Sequence, residues 1–162
     1  MKKLALSITL ASMLFAVSAS AFADSPIPRD MDRSQLPQKI DFGTDATSSN
    51  EMSINSFSYM ATGESILIRA IESVSIPLYE YSAMGITDPK KITYVASATT
   101  SLFHDGDYIS ESEKKIALAG QDAVAELIAY SGLGGKWEAF SNHTITDGSS
   151  FYVAYTVDEE NY

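Results

Sequence analysis

Apolar and polar side chains alternate most regularly in the second half of the chain. Ile92, Tyr94, Ala96 and Ala98 interleave with Thr93, Val95, Ser97 and Thr99, a period of two whose β-branched content suits a half-buried strand over 92–100. Phe151, Val153, Tyr155 and Val157 repeat that period after Asp147-Gly148, a dipeptide that turns hairpins. The segments 137–146 and 151–157 are therefore predicted as two antiparallel strands. Between these regions the period lengthens. Ile116, Ala119, Gly120, Ala123, Val124, Leu127 and Ile128 recur at helical spacing, and Ser110 with Glu113 has the form of a capping box. Glu111 and Glu113 would face the positive end of the helix dipole, and Gly132 would supply a left-handed stop. The expectation is one long, alanine-rich helix over 111–130, lying close against the sheet with Val124 buried.

The segment 54–84 supports two readings. Leu67, Ala70, Ile71, Val74 and Leu78 follow a helical stripe that Thr62 could cap and Pro77 would end, whereas Ile66, Ile68, Ala70, Val74 and Ile76 fall on alternate positions as a strand requires. A short helix over 63–75 is the favoured expectation. Tyr79, Tyr81, Met84 and Ile86 predict a short strand before Asp88-Pro89. The resulting fold class is α+β: a small antiparallel sheet packed against one long helix, with a second shorter helix and an extended N-terminal arm.

The first 23 residues have the three parts of a secretory signal peptide: Lys2-Lys3, an apolar stretch from Leu4 to Val17, and Ala21-Phe22-Ala23 ahead of Asp24. The apolar run is short of the roughly 20 residues that a spanning helix needs. Cleavage after Ala23 would send the protein to the periplasm or outside the cell, with no membrane span remaining. Residues 24–53 are polar, contain Pro26, Pro28 and Pro37, and bury no face, which makes them an arm or linker. Residues 54–162 then form one domain.

Composition removes several functions. The chain has 162 residues, no cysteine, and 11 Lys+Arg against 21 Asp+Glu, for a net charge of -10. Loss of Lys2 and Lys3 with the signal raises the negative charge to -12 over 139 residues. Disulfides, thiolate zinc sites and thiol nucleophiles are excluded by the missing cysteine. So much negative charge argues against nucleic acid, whose binding draws on Lys and Arg at phosphates. The sequon Asn142-His143-Thr144 would be a glycosylation acceptor only in a eukaryotic secretory route, and because the short basic start and compact A-x-A site look bacterial it is read as accidental.

A resemblance follows from three segments. The strand over 92–100, the stretch Ile116-Ala117-Leu118-Ala119-Gly120-Gln121-Asp122-Ala123-Val124-Ala125-Glu126-Leu127, and the closing Phe151-Tyr152-Val153-Ala154-Tyr155-Thr156-Val157 resemble the small exported domains of bacterial flagellum- and secretion-associated envelope proteins. The similarity spans about 65 residues from Lys91 to Val157 and consists of packing residues. It implies an envelope role and transfers no functional residue.

Candidate chemistry is sparse. His104 and His143 are the sole histidines, and shared proton work would require their loops to converge. His104-Asp105-Gly106-Asp107 offers imidazole and carboxylate ligands to a cation, but it lacks the ligand ladder and closing glutamate of an EF-hand. Gly63-Glu64-Ser65 lacks the second glycine of a nucleophile elbow, and Ser112-Glu113-Lys114-Lys115 lacks the partner motifs of its S-x-x-K class. Gly132, Gly134 and Gly135 have no P-loop lysine. Tyr79, Tyr81, Tyr152 and Tyr155 suit either a partner or sugar face or ordinary cross-strand pairs. No catalytic residue, cofactor or metal is assigned. The expectation is a non-enzymatic, protein-binding or assembly-accessory protein, using the arm or an open sheet edge; the alternative is a small secreted hydrolase or metal-binding protein built on the His104 loop.

Overall fold

The computed structural model describes residues 31–44, 59–73, 75 and 77–162. Among these residues there is no helix, and the α+β expectation gives way to an all-β architecture of two antiparallel sheets. The strands are β1 (Lys39–Thr44), β2 (Tyr59–Ser73), β3 (Leu78–Pro89), β4 (Val95–His104), β5 (Asp107–Glu111), β6 (Lys115–Ala117), β7 (Ala123–Ser131), β8 (Lys136–Thr146) and β9 (Phe151–Asn161). Sheet A has the order β1-β2-β3-β7. Sheet B has the order β5-β4-β8-β9, and β6 pairs with β4 beside β5, so that β5 and β6 form one broken edge.

The 111–130 stretch is strand, not helix, because its small residues also satisfy a period of two. Ala123, Ala125, Leu127 and Ala129 face inward while Val124, Glu126, Ile128 and Tyr130 face out, which places β-branched and aromatic side chains where a strand accommodates them. Ala119 and Gly120 adopt φ of 57° and 74°, and Gln121 N donates to Leu118 O, so the centre of the expected helix is a tight turn. The capping box dissolves as well. Ser110 lies in β5, and Glu113 pairs with Lys115 on the strand that follows. Val124 is 41% exposed, so the expectation that Asp at this position would bury a charge fails. The helix over 63–75 is also replaced by a strand: Thr62 Oγ1 donates to Asp41 across the β1–β2 ladder instead of capping, and Ile66 and Ile68 follow the alternation noted as the other reading.

Alanine and glycine serve sheet-on-sheet contact. Ala61, Ala83, Ala96, Ala98, Ala125 and Ala139 are fully buried between the sheets. Two glycines bring sheet A down further. A Cβ on Gly63 would lie 2.7 Å from the His143 ring, and one on Gly85 would overlap the hydroxyls of Thr100 and Ser141. The interior therefore has three tiers. One apolar end holds Phe42, Met60, Tyr94 and Ile145, and the other holds Leu67, Tyr81, Leu102 and Trp137. A polar belt of Ser65, Thr87, Thr100, Ser141, His143 and Thr156 separates them.

The segment 31–38 and β1 tie the layers together. Pro37 O accepts from Val157 N of sheet B, and the next carbonyl, Gln38 O, accepts from Ser65 N of sheet A. Met31 and Leu36 pack on Phe103, Phe140 and Tyr155 over the outer face of sheet B, where Arg33 lies 3.8 Å from the Phe103 ring centre. The expected signal peptide and both ends of the expected arm, 24–30 and 45–53, lie outside the described residues. Gly85→Ala is expected to destabilise the protein by about 1–3 kcal/mol through overpacking, read as a fall of several degrees in Tm; an unchanged Tm would contradict the close approach at Gly85.

Candidate functional site

The His104-Asp105-Gly106-Asp107 loop is the β4–β5 hairpin turn. Asp105 and Gly106 have φ of 49° and 89°, the left-handed pair that a two-residue turn matching strand twist requires. Asp105 points back across the sheet: its Oδ1 accepts from Lys136 N at 2.9 Å, and its own N donates to Lys136 O. His104 Nε2 lies 2.8 Å from Gly134 O and 3.4 Å from Asp105 Oδ2. Asp107 opposes His104 in the ladder and is exposed. Among the described residues, no group of three or more His, Asp or Glu side chains could hold a metal ion.

His143 is elsewhere. It stands opposite Ala98 on β4, six residues from His104, a separation of about 20 Å along a strand. The two histidines share no site. His143 is fully buried and bonded at both nitrogens: Nδ1 lies 2.9 Å from Thr87 Oγ1 and Nε2 lies 2.7 Å from Thr156 Oγ1. Thr87 Oγ1 donates its one proton to Ser97 O at 2.8 Å. It must therefore accept from Nδ1–H, which assigns the Nδ1 tautomer and leaves Nε2 to accept from Thr156. The chain continues to Ser65, whose hydroxyl oxygen lies 2.6 Å from Thr156 Oγ1 and 2.8 Å from Ser141 Oγ, and on to Thr100, whose hydroxyl donates to Ala125 O. A serine, a threonine and a histidine in sequence suggest a proton relay, but every member is sealed between the sheets and no charged group joins the chain. It is a structural belt. Burial lowers the His143 pKa to about 3.

The remaining candidates also resolve into structure. Ser112 Oγ accepts from Thr100 N, fastening the broken edge to β4. Gly132 and Gly134 permit close passage past Pro77 O and Tyr162 O, 2.7 and 2.8 Å from where a Cβ would stand. Asn142 of the sequon is buried in β8. The tyrosines do not share a face. Tyr81 stacks on Trp137 inside the sandwich at 3.8 Å, and Tyr79 meets it edge-on. Tyr155 stacks on Phe140 on the outer face of sheet B, and Tyr152 packs at the opposite apolar end from Tyr81.

The outer face of sheet A carries several exposed apolar side chains. Its ladder rows are Glu64-Ile86-Val124, Ile66-Met84-Glu126, Ile68-Ser82-Ile128 and Ala70-Glu80-Tyr130. Ile68, Ile128 and Tyr130 are 51%, 48% and 59% exposed. The face ends in β7, whose second edge pairs with no strand among the described residues. This nine-residue strand contains no proline and no lysine, and its register with β3 is unbroken. Such an edge presents unpaired backbone donors and acceptors in line, a template for a further strand unless proline, lysine or a bulge protects it. Glu80 accepts from the Tyr130 hydroxyl at 3.0 Å, and this bond, reinforced by the carboxylate's charge, raises the Tyr130 pKa. The sequence hides the location of this edge, because the stretch that forms β7 also satisfies a helical stripe. The signal that could have found it is the alternation of Val124, Glu126, Ile128 and Tyr130 against Ala123, Ala125, Leu127 and Ala129.

Comparison with protein-family models gives no match, and comparison with curated proteins gives none. Among solved structures, a crystal structure of a protein from Archaeoglobus fulgidus is similar at 9% identity and a TM-score of 0.36, covering 62% of this chain and 93% of that one. The likeness adds nothing to the fold derived above.

The His143 belt sets a pH dependence. In the unfolded chain the imidazole takes up its proton near pH 6.5, whereas in the fold it does so near 3. The contribution of neutral His143 is therefore complete above pH 6.5 and is lost as the pH falls toward 3, at up to about 1.4 kcal/mol per pH unit. Urea midpoints measured between pH 7 and 5, above most carboxylate titration, are expected to fall, and His143→Gln is expected to flatten that slope. A slope unchanged by the substitution would contradict the assignment.

Proposed function

We propose that this chain is an exported, non-enzymatic protein-binding domain of the bacterial envelope or secreted fraction, and that it engages its partner through the β7 edge and the adjoining outer face of sheet A. The observation that carries this reading is the unprotected β7 edge beside exposed Ile68, Ile128 and Tyr130. Extended segments bind such edges by adding a strand, with main-chain hydrogen bonds giving affinity and alternate side chains giving specificity. Export is supported by the signal-like start, and a binding role by the separation of His104 from His143 and the burial of the hydroxyl chain.

The reading is tested with a photo-cross-linking amino acid at Tyr130, and as control at Ile109 on β5, in cells expressing the full chain. A discrete adduct to one envelope or secreted protein from Tyr130, lost in the Ile128→Lys background and absent from Ile109, is the expected result. Equal labelling from both positions, or an adduct indifferent to Ile128→Lys, would overturn the proposal.

A further inference from the structure

We infer that the occupant of the β7 edge is an extended segment of another protein in which a lysine or arginine is flanked at the second position on each side by an apolar residue. This inference rests on the binding role proposed above and adds the chemistry of the partner. A strand laid beside β7 places alternate side chains on the outer face, facing Val124, Glu126, Ile128 and Tyr130 in turn. Three of these positions are apolar or aromatic and Glu126 is acidic, so the complementary pattern is apolar-x-cation-x-apolar.

Charge fixes the sign. Glu126 receives one long hydrogen bond from Ser82, at 3.3 Å, and makes no ion pair among the described residues. Glu80 lies in the same sheet face beside Tyr130, again with no ion pair among the described residues. The cations on this side of sheet A are engaged: Lys39 with Glu64 at 2.8 Å and Lys90 with Asp88 at 2.7 Å. A second copy of the chain fits less well. Pairing β7 with itself about Leu127 would set each copy's Glu126 on the diagonal of the other's, about 7–8 Å apart, between molecules that each carry a net charge of -10.

The test uses the full chain and three nine-residue peptides with isoleucine at odd and threonine at even positions, the central fifth residue being lysine, glutamine or glutamate, labelled for fluorescence anisotropy. The lysine peptide is expected to bind about tenfold more tightly than the glutamate peptide, with glutamine between them. Added salt should narrow that spread, and Glu126→Lys, an exposed change, should reverse the order. Equal binding of all three peptides, abolished by Ile128→Lys, overturns the cationic assignment and leaves the edge reading standing. A failure of every peptide to bind, together with cross-links that ignore Ile128, overturns both. A wild-type dimer in sedimentation velocity that Ile128→Lys dissolves also overturns the inference, by giving the edge to a second copy.

Discussion

The close approach of the two sheets, where Gly63 meets His143 and Gly85 meets Thr100 and Ser141, is the constraint on which the fold depends. A buried imidazole flanked by hydroxyls is tolerable because both nitrogens are bonded: an unmade bond there would cost about 1–3 kcal/mol. Making those bonds requires Thr87 from sheet A and Thr156 from sheet B at once, so register in both sheets is fixed by one side chain. The glycines follow from this, since any side chain at Gly63 would occupy the ring's place. Apolar tiers on either side keep water out, and that exclusion holds the ring neutral.

A sandwich fixed at its centre must still dispose of its edges. Val157 on β9 is bonded to Pro37, and the part of β2 beyond β1 is met by Gln38 O at Ser65 and by the Asp158 carboxylate at Leu67 N, 2.7 Å away. The far edge of sheet B is broken into β5 and β6, with a register shift at Leu102–Phe103. Each of these devices makes an edge a poor template. β7 has no such break or covering segment; among the described residues its backbone takes from sheet B the Thr100 hydroxyl at Ala125 O. A chain without cysteine has no disulfide to protect such an edge, and the functional reading follows from that contrast within one molecule.

Much of sheet B was legible in the sequence. The alternation over 92–100 and 151–157, the extended stretch 137–146 and the Asp147-Gly148 turn correspond to β4, β8 and β9. Sheet A was not legible in the same way. Ala123, Ala125 and Ala129 are good helix formers by intrinsic propensity, and they appear in a strand because only small residues fit between sheets this close. Propensity was overridden by packing that no local window contains. Ile66 and Ile68 supplied the correct alternation, yet Leu67, Ala70 and Ile71 satisfied a helical stripe equally well. Asp105-Gly106 is a hairpin dipeptide like Asp147-Gly148, and its turn is legible, but the strand β5 stands where the capping-box pattern at Ser110 and Glu113 predicts a helix. The polar belt was beyond reach of the sequence, since Ser65, Thr87, Ser141, His143 and Thr156 are gathered from four strands.

Amide hydrogen exchange on the folded protein tests the central claim, a sandwich locked at His143 and open at β7, most directly. The account expects strand amides of β8 and β9 flanking His143 and Thr156 to exchange only through global unfolding. Alternate amides of β7, those turned away from β3, should exchange orders of magnitude faster. Uniform protection along β7 equal to that of β8, or rapid exchange on both sides of His143, would contradict it.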